Sequence, residues 1–510
     1  MKIVVVGGGS AGYMSALQIQ HKHPEWNITL IDSSKIGILG AGEGTTPVFA
    51  QTLKKLDLPI EEFVKYTGAT VKNGLMFVGW GKDKEKYFHP FCDYTDTSTL
   101  SYFKHLAKTK QTLENYNYKQ FKIDSRKDFA STIAYAIDWD TNLDKINLQT
   151  VINEYGNVIP DAHSWHIDAK KLVQFFNKYA VLRGIRVVDA VVDSFSTNIN
   201  NEIEYVIANG ETILCDFLID STGFKRMFIG KHYNAEWVNT QDSLPCDSAI
   251  AFFMDMKKIQ PYSEAIAMDF GWNWKTPLQH RWGCGYVYDS KYLSEDQAIA
   301  EINKKFGSNV KIVNKFKFKS GYYSNPWIKN CLAVGLSAGF FEPLEGTAIL
   351  HATGAIEKFL DNDIETYLIN KDLSIVQKYN QKMSTKNRDI LDFLYLHYVT
   401  NKTNTDFWKN FTINNKMPET ITKLLKEGVN DISLSSFIDT PGKIFSWSNW
   451  ITVYVGNELY NKDKIKGFLD KQGEVRYTEI VKEIDSKKHL SIPLNKYLDN
   501  IINEGEKVWA

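Results

Sequence analysis

Five residues with the pattern of a buried strand, Lys2 to Val6, run straight into Gly7-Gly8-Gly9-Ser10-Ala11-Gly12. A plausible helix follows from Tyr13 to Gln20, and a second apolar strand, Ile28-Thr29-Leu30-Ile31, ends at Asp32. Gly7, Gly9 and Gly12 fit G-x-G-x-x-G in strand-loop-helix order. Glycine permits the tight turn and the close backbone approach, and the helix start at Ser10 and Ala11 receives a pyrophosphate. Asp32 is placed to accept from a ribose hydroxyl. A glycine-rich turn alone would not bring that acid with it. The combination commits the N-terminal part to an α/β nucleotide-binding fold.

The chain's 510 residues could hold two or three domains, or one large mixed domain with insertions. Lysine plus arginine is 60 and aspartate plus glutamate is 60, so no global field recruits nucleic acid or an anionic membrane. The five cysteines (Cys92, Cys215, Cys246, Cys284, Cys331) are widely spaced, and no pair has zinc or redox-motif spacing. No metal is expected, and buried thiols in a reducing compartment are. The stretch before the first glycines is too short for a signal sequence, and no apolar run is long enough to span a bilayer. The chain reads as cytoplasmic.

Further along, Gly271-Trp272-Asn273-Trp274-Lys275-Thr276-Pro277 carries two tryptophans two residues apart. They share a face if the segment is extended, and proline ends the strand or restricts it to an edge. The indole pair makes a bulky wall, which core packing would equally explain. Ala69 to Trp80 reads as a strand with one lysine, Lys72, and a lone strand lysine usually faces solvent. Trp165-His166-Ile167-Asp168-Ala169 reads as the start of a helix, with a mainly structural part to play. Phe341-Glu342-Pro343-Leu344-Glu345-Gly346-Thr347 opens another, with Pro343 suited to its first turn. The amides of Thr347 and Ala348 then lie near the positive end of a helix dipole, where an anion can bind.

These segments together resemble the flavin-dependent tryptophan-halogenase family, whose Gly-Trp-x-Trp-x-Ile-Pro is matched except at Thr276. Gly40 to Pro47 is similar to the family's Gly-x-Gly-Glu-Ala-Thr-x-Pro loop beside the flavin, which assigns Gly42 and Glu43 to the cofactor. Val191 falls in the region used against adenine, and Gly335 and Leu336 in the turn that meets the ribityl-phosphate part. Lys72 takes the position of the catalytic lysine. Glu345 is assigned to orient it and to receive a proton from the halogenated ring. Tyr87-Phe88-His89-Pro90-Phe91 resembles a pocket-lining segment, suggesting His89 and Phe91 as substrate contacts, and a packed histidine is the competing reading. Phe445 and Asn449 fall at an aromatic and an asparagine position of the substrate site. Thr440 stands where tryptophan-specific members have a glutamate for the amino group, and Leu434-Ser435-Ser436 lacks their tyrosines.

The resemblance implies an α/β FAD-binding Rossmann-like body of the GR2/monooxygenase type, residues 1–90 plus 160–350. An insertion at 91–159 contributes to the substrate part, and 351–510 forms a mainly helical substrate-binding part. It implies a halogenase dependent on FADH2 and oxygen, in which halide attack on a flavin hydroperoxide gives hypohalous acid. Trp272 and Trp274 would let only that small oxidant pass to an electron-rich indole, phenol or heteroaromatic. With one nucleotide loop, a separate flavin reductase is the expected source of FADH2. Thr347 and Ala348 would bind the halide; Gly346 replaces the family's usual serine and opens space, so a preference for the larger bromide or iodide over chloride is the expectation. A flavin-dependent aromatic monooxygenase and a non-catalytic FAD-binding protein are the alternatives, and homo-oligomerisation is left open.

Overall fold

Lys2–Val6 is buried at every position but the first, as expected of a parallel strand covered on both faces. It pairs in parallel with Asn27–Asp32 on one side and Phe217–Asp220 on the other. The sheet has six strands in the order Trp327–Ile328, Cys331–Ala333, Phe217–Asp220, Lys2–Val6, Asn27–Asp32, Arg186–Asp189. Only the Trp327–Ile328 pairing is antiparallel. Helix Ser10–Lys22 packs against Ala169–Leu182 and Thr347–Leu360. A meander, Val192–Thr197, Ile203–Ala208 and Glu211–Leu214, adds a three-stranded sheet. The computed structural model describes residues 1–37, 42–72, 74–81, 86–90, 150–151, 164–255, 259–260, 262–308, 310–428, 444–445, 447–459, 491–492, 498–499 and 501–502.

The chain divides into two units. The first, residues 1–68, 167–241 and 319–388, contains the parallel sheet. The second, residues 69–166, 242–318 and 389–510, is built on a seven-stranded sheet. Its order is Lys311–Lys317, Ser248–Met254, Trp282–Tyr288, Gly271–Pro277, Ser263–Met268, Gly74–Val78, Lys86–Pro90. This differs from the division expected from sequence. Residues 69–90 and 242–318 group with the second unit, and 351–388 with the first. The described residues after 351 are mostly helical, and the second unit also holds the seven-stranded sheet.

Pro277 ends its strand, the first of the two expected alternatives: Gly271–Pro277 is interior to the sheet, and Pro277, its last residue, pairs with Trp282. Two local expectations change in detail. The stretch expected as one strand through Lys72 is two, because the partner changes. Thr70–Lys72 pairs antiparallel with Ser164–Ile167, while Gly74–Val78 pairs with Ser263–Met268 and Lys86–Pro90. The helix expected from Trp165 begins only at Ala169, with Trp165 and His166 on the preceding strand. Asp168 is the residue that caps it, accepting from the amides of Lys170 and Lys171.

Candidate active site

In the glycine loop the backbone itself supplies the shape. A side chain at Gly7 would strike Ser221, and one at Gly12 would strike the Gly7 carbonyl. Ser221 locks the turn with its single hydroxyl hydrogen, shared between Val6 O and Gly7 O at 2.9 and 2.7 Å. Gly8, which the G-x-G-x-x-G pattern leaves unspecified, is the residue whose Cβ would overlap the Asp32 carboxyl, whereas Gly9 faces open space. Gly9 also precedes helix Ser10–Lys22 without a capping side chain, leaving the helix start to an anion. Asp32 ends its strand and accepts from the Tyr13 hydroxyl at 3.1 Å. Burial raises its pKa from the ordinary carboxylate value.

Other cofactor residues named from the sequence also lie in this unit. Gly335 (φ +58) opens a 3-10 turn through Leu336 to Ser337, and a Cβ on it would come within 2.6 Å of Ala11. The structure thus brings the Gly335 turn to the start of the first helix. Val191 is 42% exposed, between two strands. Gly42 has φ +130 and is buried, and Glu43 follows on a short strand. Burial, with the like charge of Asp168 adding to it, pushes the Glu43 carboxyl up to about 7.

The proposed halide turn is more contorted than a simple helix start. Pro343 precedes a separate 3-10 turn, Leu344–Gly346, and helix Thr347–Leu360 begins after it. Glu345 (φ 66) and Gly346 (φ 67) are both left-handed. A left-handed residue followed by a helical one turns successive amides to one side, the concave arrangement that receives anions. Glycine at 346 meets that conformation without the cost a serine would carry. Thr347 and Glu345 are each 2% exposed; Ala348 is exposed.

In the second unit Lys72 is 1% exposed on a strand whose every residue is buried, so it is not the solvent-facing lysine of ordinary strands. On the partner strand, opposite Thr70, stands His166. Its Nδ1 lies 2.8 Å from Thr70 Oγ1, which donates to Pro277 O at 2.7 Å, the carbonyl ending the tryptophan strand. Burial, reinforced by the charge of Lys72, holds the His166 pKa well below its ordinary value, so the ring is neutral. Trp272 is buried and Trp274 partly so, with ring centroids 6.4 Å apart. The Trp274 ring occupies the space a side chain on Gly285 would need.

The aromatic group forms around Phe393, which sequence reasoning missed. Phe445 stacks on it at 4.0 Å, and Trp450 and His89 lie 5.2 and 5.9 Å away. His89 Nε2 is 2.9 Å from Asn449 Nδ2, so three of the four predicted pocket residues are brought together. Asp389, buried in a helix, accepts from the amides of Ile444 and Phe445 and so sets the Phe445 backbone. Phe91, the fourth, lies outside the described residues, as do Thr440 and residues 434–436. Cys215, Cys246, Cys284 and Cys331 are buried, as thiols; Cys92 lies outside. Among the described residues no helix is long and apolar enough to cross a membrane.

A family model described as tryptophan halogenase matches residues 2–469. The chain belongs to that family. One relative, the 7-chloro-L-tryptophan 6-halogenase KtzR of Kutzneria sp. (strain 744), is 30% identical over 429 residues, covering 80% of this chain and 81% of its own. The tryptophan 7-halogenase RebH of Lentzea aerocolonigenes is 28% identical over 439 residues, covering 80% and 78%. The solved structure of Xcc4156, a flavin-dependent halogenase from Xanthomonas campestris, shares the fold. Its TM-score is 0.80 at 22% identity, covering 98% of each chain. This protein is accordingly a flavin-dependent halogenase with an α/β Rossmann-like body, and the monooxygenase and non-catalytic alternatives fall away. Flavin-dependent halogenases use reduced FAD and halide. The loop fits such a dinucleotide: the uncapped helix start is suited to a phosphate, and Gly7, Gly8 and Gly12 leave no side chain in the turn.

Proposed function

We propose that this halogenase delivers hypohalous acid through Lys72 to an uncharged, electron-rich aromatic compound. The observation that carries the reading is the burial of Lys72: a lysine 1% exposed needs a purpose that a solvated surface position does not. Gly7, Gly9, Ser10, Ala11, Gly12, Asp32, Gly42, Glu43, Val191, Gly335 and Leu336 would hold FAD. When bound in its reduced form, FAD supplies the two electrons with which oxygen and halide give hypohalous acid and water.

The amides of Thr347 and Ala348 hold the halide, and Gly346 leaves room for bromide or iodide beside chloride. Trp272 and Trp274 keep the aromatic substrate from the flavin, so that only the small oxidant reaches it. Lys72 donates a hydrogen bond to the oxygen of the acid, drawing electron density from the halogen. The ring attacks the halogen as the oxygen–halogen bond breaks, and the oxygen leaves as water after gaining a proton. Glu345 takes the proton that the ring loses. His89 and Phe445, with Phe393 behind them, hold a flat ring, while Asn449 orients His89. Thr440 offers no carboxylate to an ammonium, so free tryptophan would lose a charge-assisted bond. A separate flavin reductase supplies FADH2.

The test is Lys72→Ala, assayed with reductase, FAD, oxygen, each halide and a panel of indoles, phenols and tryptophan. Halogenated product should fall by about three orders of magnitude while reduced FAD is still oxidised. Wild-type yield in the variant would remove Lys72 from the reaction, and a clear preference for tryptophan would overturn the substrate class.

A further inference from the structure

We infer that His166 is the second hydrogen-bonding group of the oxidant's site, taking the hydrogen of the hypohalous acid whose oxygen Lys72 holds. This rests on the reading of Lys72 given above. The hydroxyl of Thr70 has one hydrogen, and at 2.7 Å it gives it to Pro277 O. Toward His166 Nδ1, 2.8 Å away, that hydroxyl can only accept. Nδ1 therefore carries the hydrogen of the neutral ring, and Nε2 is left as a bare acceptor. That atom is buried without a hydrogen-bond partner, in a residue that is 0% exposed.

A buried acceptor left open costs about 1–3 kcal/mol, so its persistence asks for a ligand. The ladder register says where that ligand sits. Thr70 is opposite His166 and Lys72 is opposite Ser164. Residues two apart in a strand share a face, so Lys72 and His166 are diagonal neighbours on the face that Thr70 occupies. Such neighbours are about 7–8 Å apart at the backbone, and long side chains bridge that span around a small molecule. Hypohalous acid has oxygen lone pairs to be served and one hydrogen to give. A lysine ammonium serves only the first need, because it has no acceptor; the bare imidazole nitrogen serves only the second. Thr70 and Pro277 fix the imidazole to the strand that carries Trp272 and Trp274, so the acceptor's aim is set by the wall itself.

Two substitutions separate this role from packing. The amide nitrogen of Asn reaches the place of Nδ1, so His166→Asn keeps the bond to Thr70 and deletes the acceptor. The amide oxygen of Gln reaches the place of Nε2, so His166→Gln restores it. With FAD, reductase, oxygen, bromide and an indole, the ratio of escaped oxidant, trapped by a β-dicarbonyl scavenger, to brominated indole is measured. The ratio should rise about tenfold in His166→Asn, the worth of one hydrogen bond, and return to within about threefold of wild type in His166→Gln. Nitrogen-15 spectra of the histidine rings in the flavin-free protein should show Nε2 of His166 without hydrogen.

A hydrogen on Nε2, an unchanged ratio in His166→Asn, or equal escape from both variants overturns the inference. If His166→Asn does not fold, Thr70→Val frees the tautomer without touching the ring and should raise escape about threefold; an unchanged ratio there overturns it as well. Lys72→Ala tells the two readings apart. Wild-type product there removes Lys72 and His166 together, whereas lost product with normal coupling in His166→Asn removes His166 alone.

Discussion

In the loop after Lys2–Val6 the shape is set by side chains that are missing, whereas around Phe393 it is set by side chains that are present. The loop meets Ser221, Asp32 and its own backbone at Gly7, Gly8 and Gly12, so any Cβ there displaces main chain or a carboxylate. The aromatic group instead keeps Phe445 on Phe393 through two hydrogen bonds that the amides of Ile444 and Phe445 donate to one carboxylate, Asp389. A diphosphate has one shape, and a backbone mould suits it. Aromatic compounds come in many shapes, and in the proposed substrate role a group of rings and one histidine can be re-cut by single substitutions.

The sharpest way to break this contrast is Gly12→Val, which drives a branched side chain into the Gly7 carbonyl. Overpacking of this kind costs about 3 kcal/mol, and FAD affinity measured by fluorescence quenching should fall roughly a hundredfold or more. Near-normal affinity would mean that the loop yields as easily as a side-chain pocket. Asp389→Ala is the counterpart. It strands the amides of Ile444 and Phe445 and should raise KM for the aromatic substrate about tenfold while FAD affinity stays put. If FAD affinity falls instead, the two sites are not separable in this way.

Glu43 sharpens the comparison from within the nucleotide unit, because there a side chain, not its absence, is strained. Its folded pKa, about 7, stands above the ordinary 4.5. The folded protein therefore binds more protons between those values, and stability is full below about 4.5 and lost as pH rises through about 7. Thermal unfolding of the flavin-free protein should show a Tm that declines between pH 5 and 7.5, with the decline reduced by a few degrees in Glu43→Gln. Identical declines in the two proteins would show that the carboxyl gives up its proton at no cost.

Much of the nucleotide unit is legible in the sequence because its determinants are local. Strand, glycines, helix and acid lie within residues 2–32, and the pattern missed only Gly8, whose reason lies in Asp32. The shared face of Trp272 and Trp274 is local too. The seven-stranded sheet is another matter: Trp282–Tyr288 is buried at all seven positions, so no alternation marks its faces, and it pairs with residues 248–254 and 271–277. The contact of His166 with Thr70 is not legible in the sequence, because the two are 96 residues apart in the chain. The bonds of Asp389 are not legible in the sequence, because Ile444 and Phe445 lie 55 and 56 residues away in the chain.

Trp274 and Gly285 face each other across one ladder, with the indole in the space beside the glycine. Neither position is free to drift alone. A larger residue at 285 has nowhere to go while the tryptophan stays, and a smaller residue at 274 opens a void beside a glycine that cannot fill it. Any lineage or library that widens this wall must pass first through position 274 and only then through 285. The order of substitutions, and not only their identity, is written into the pair.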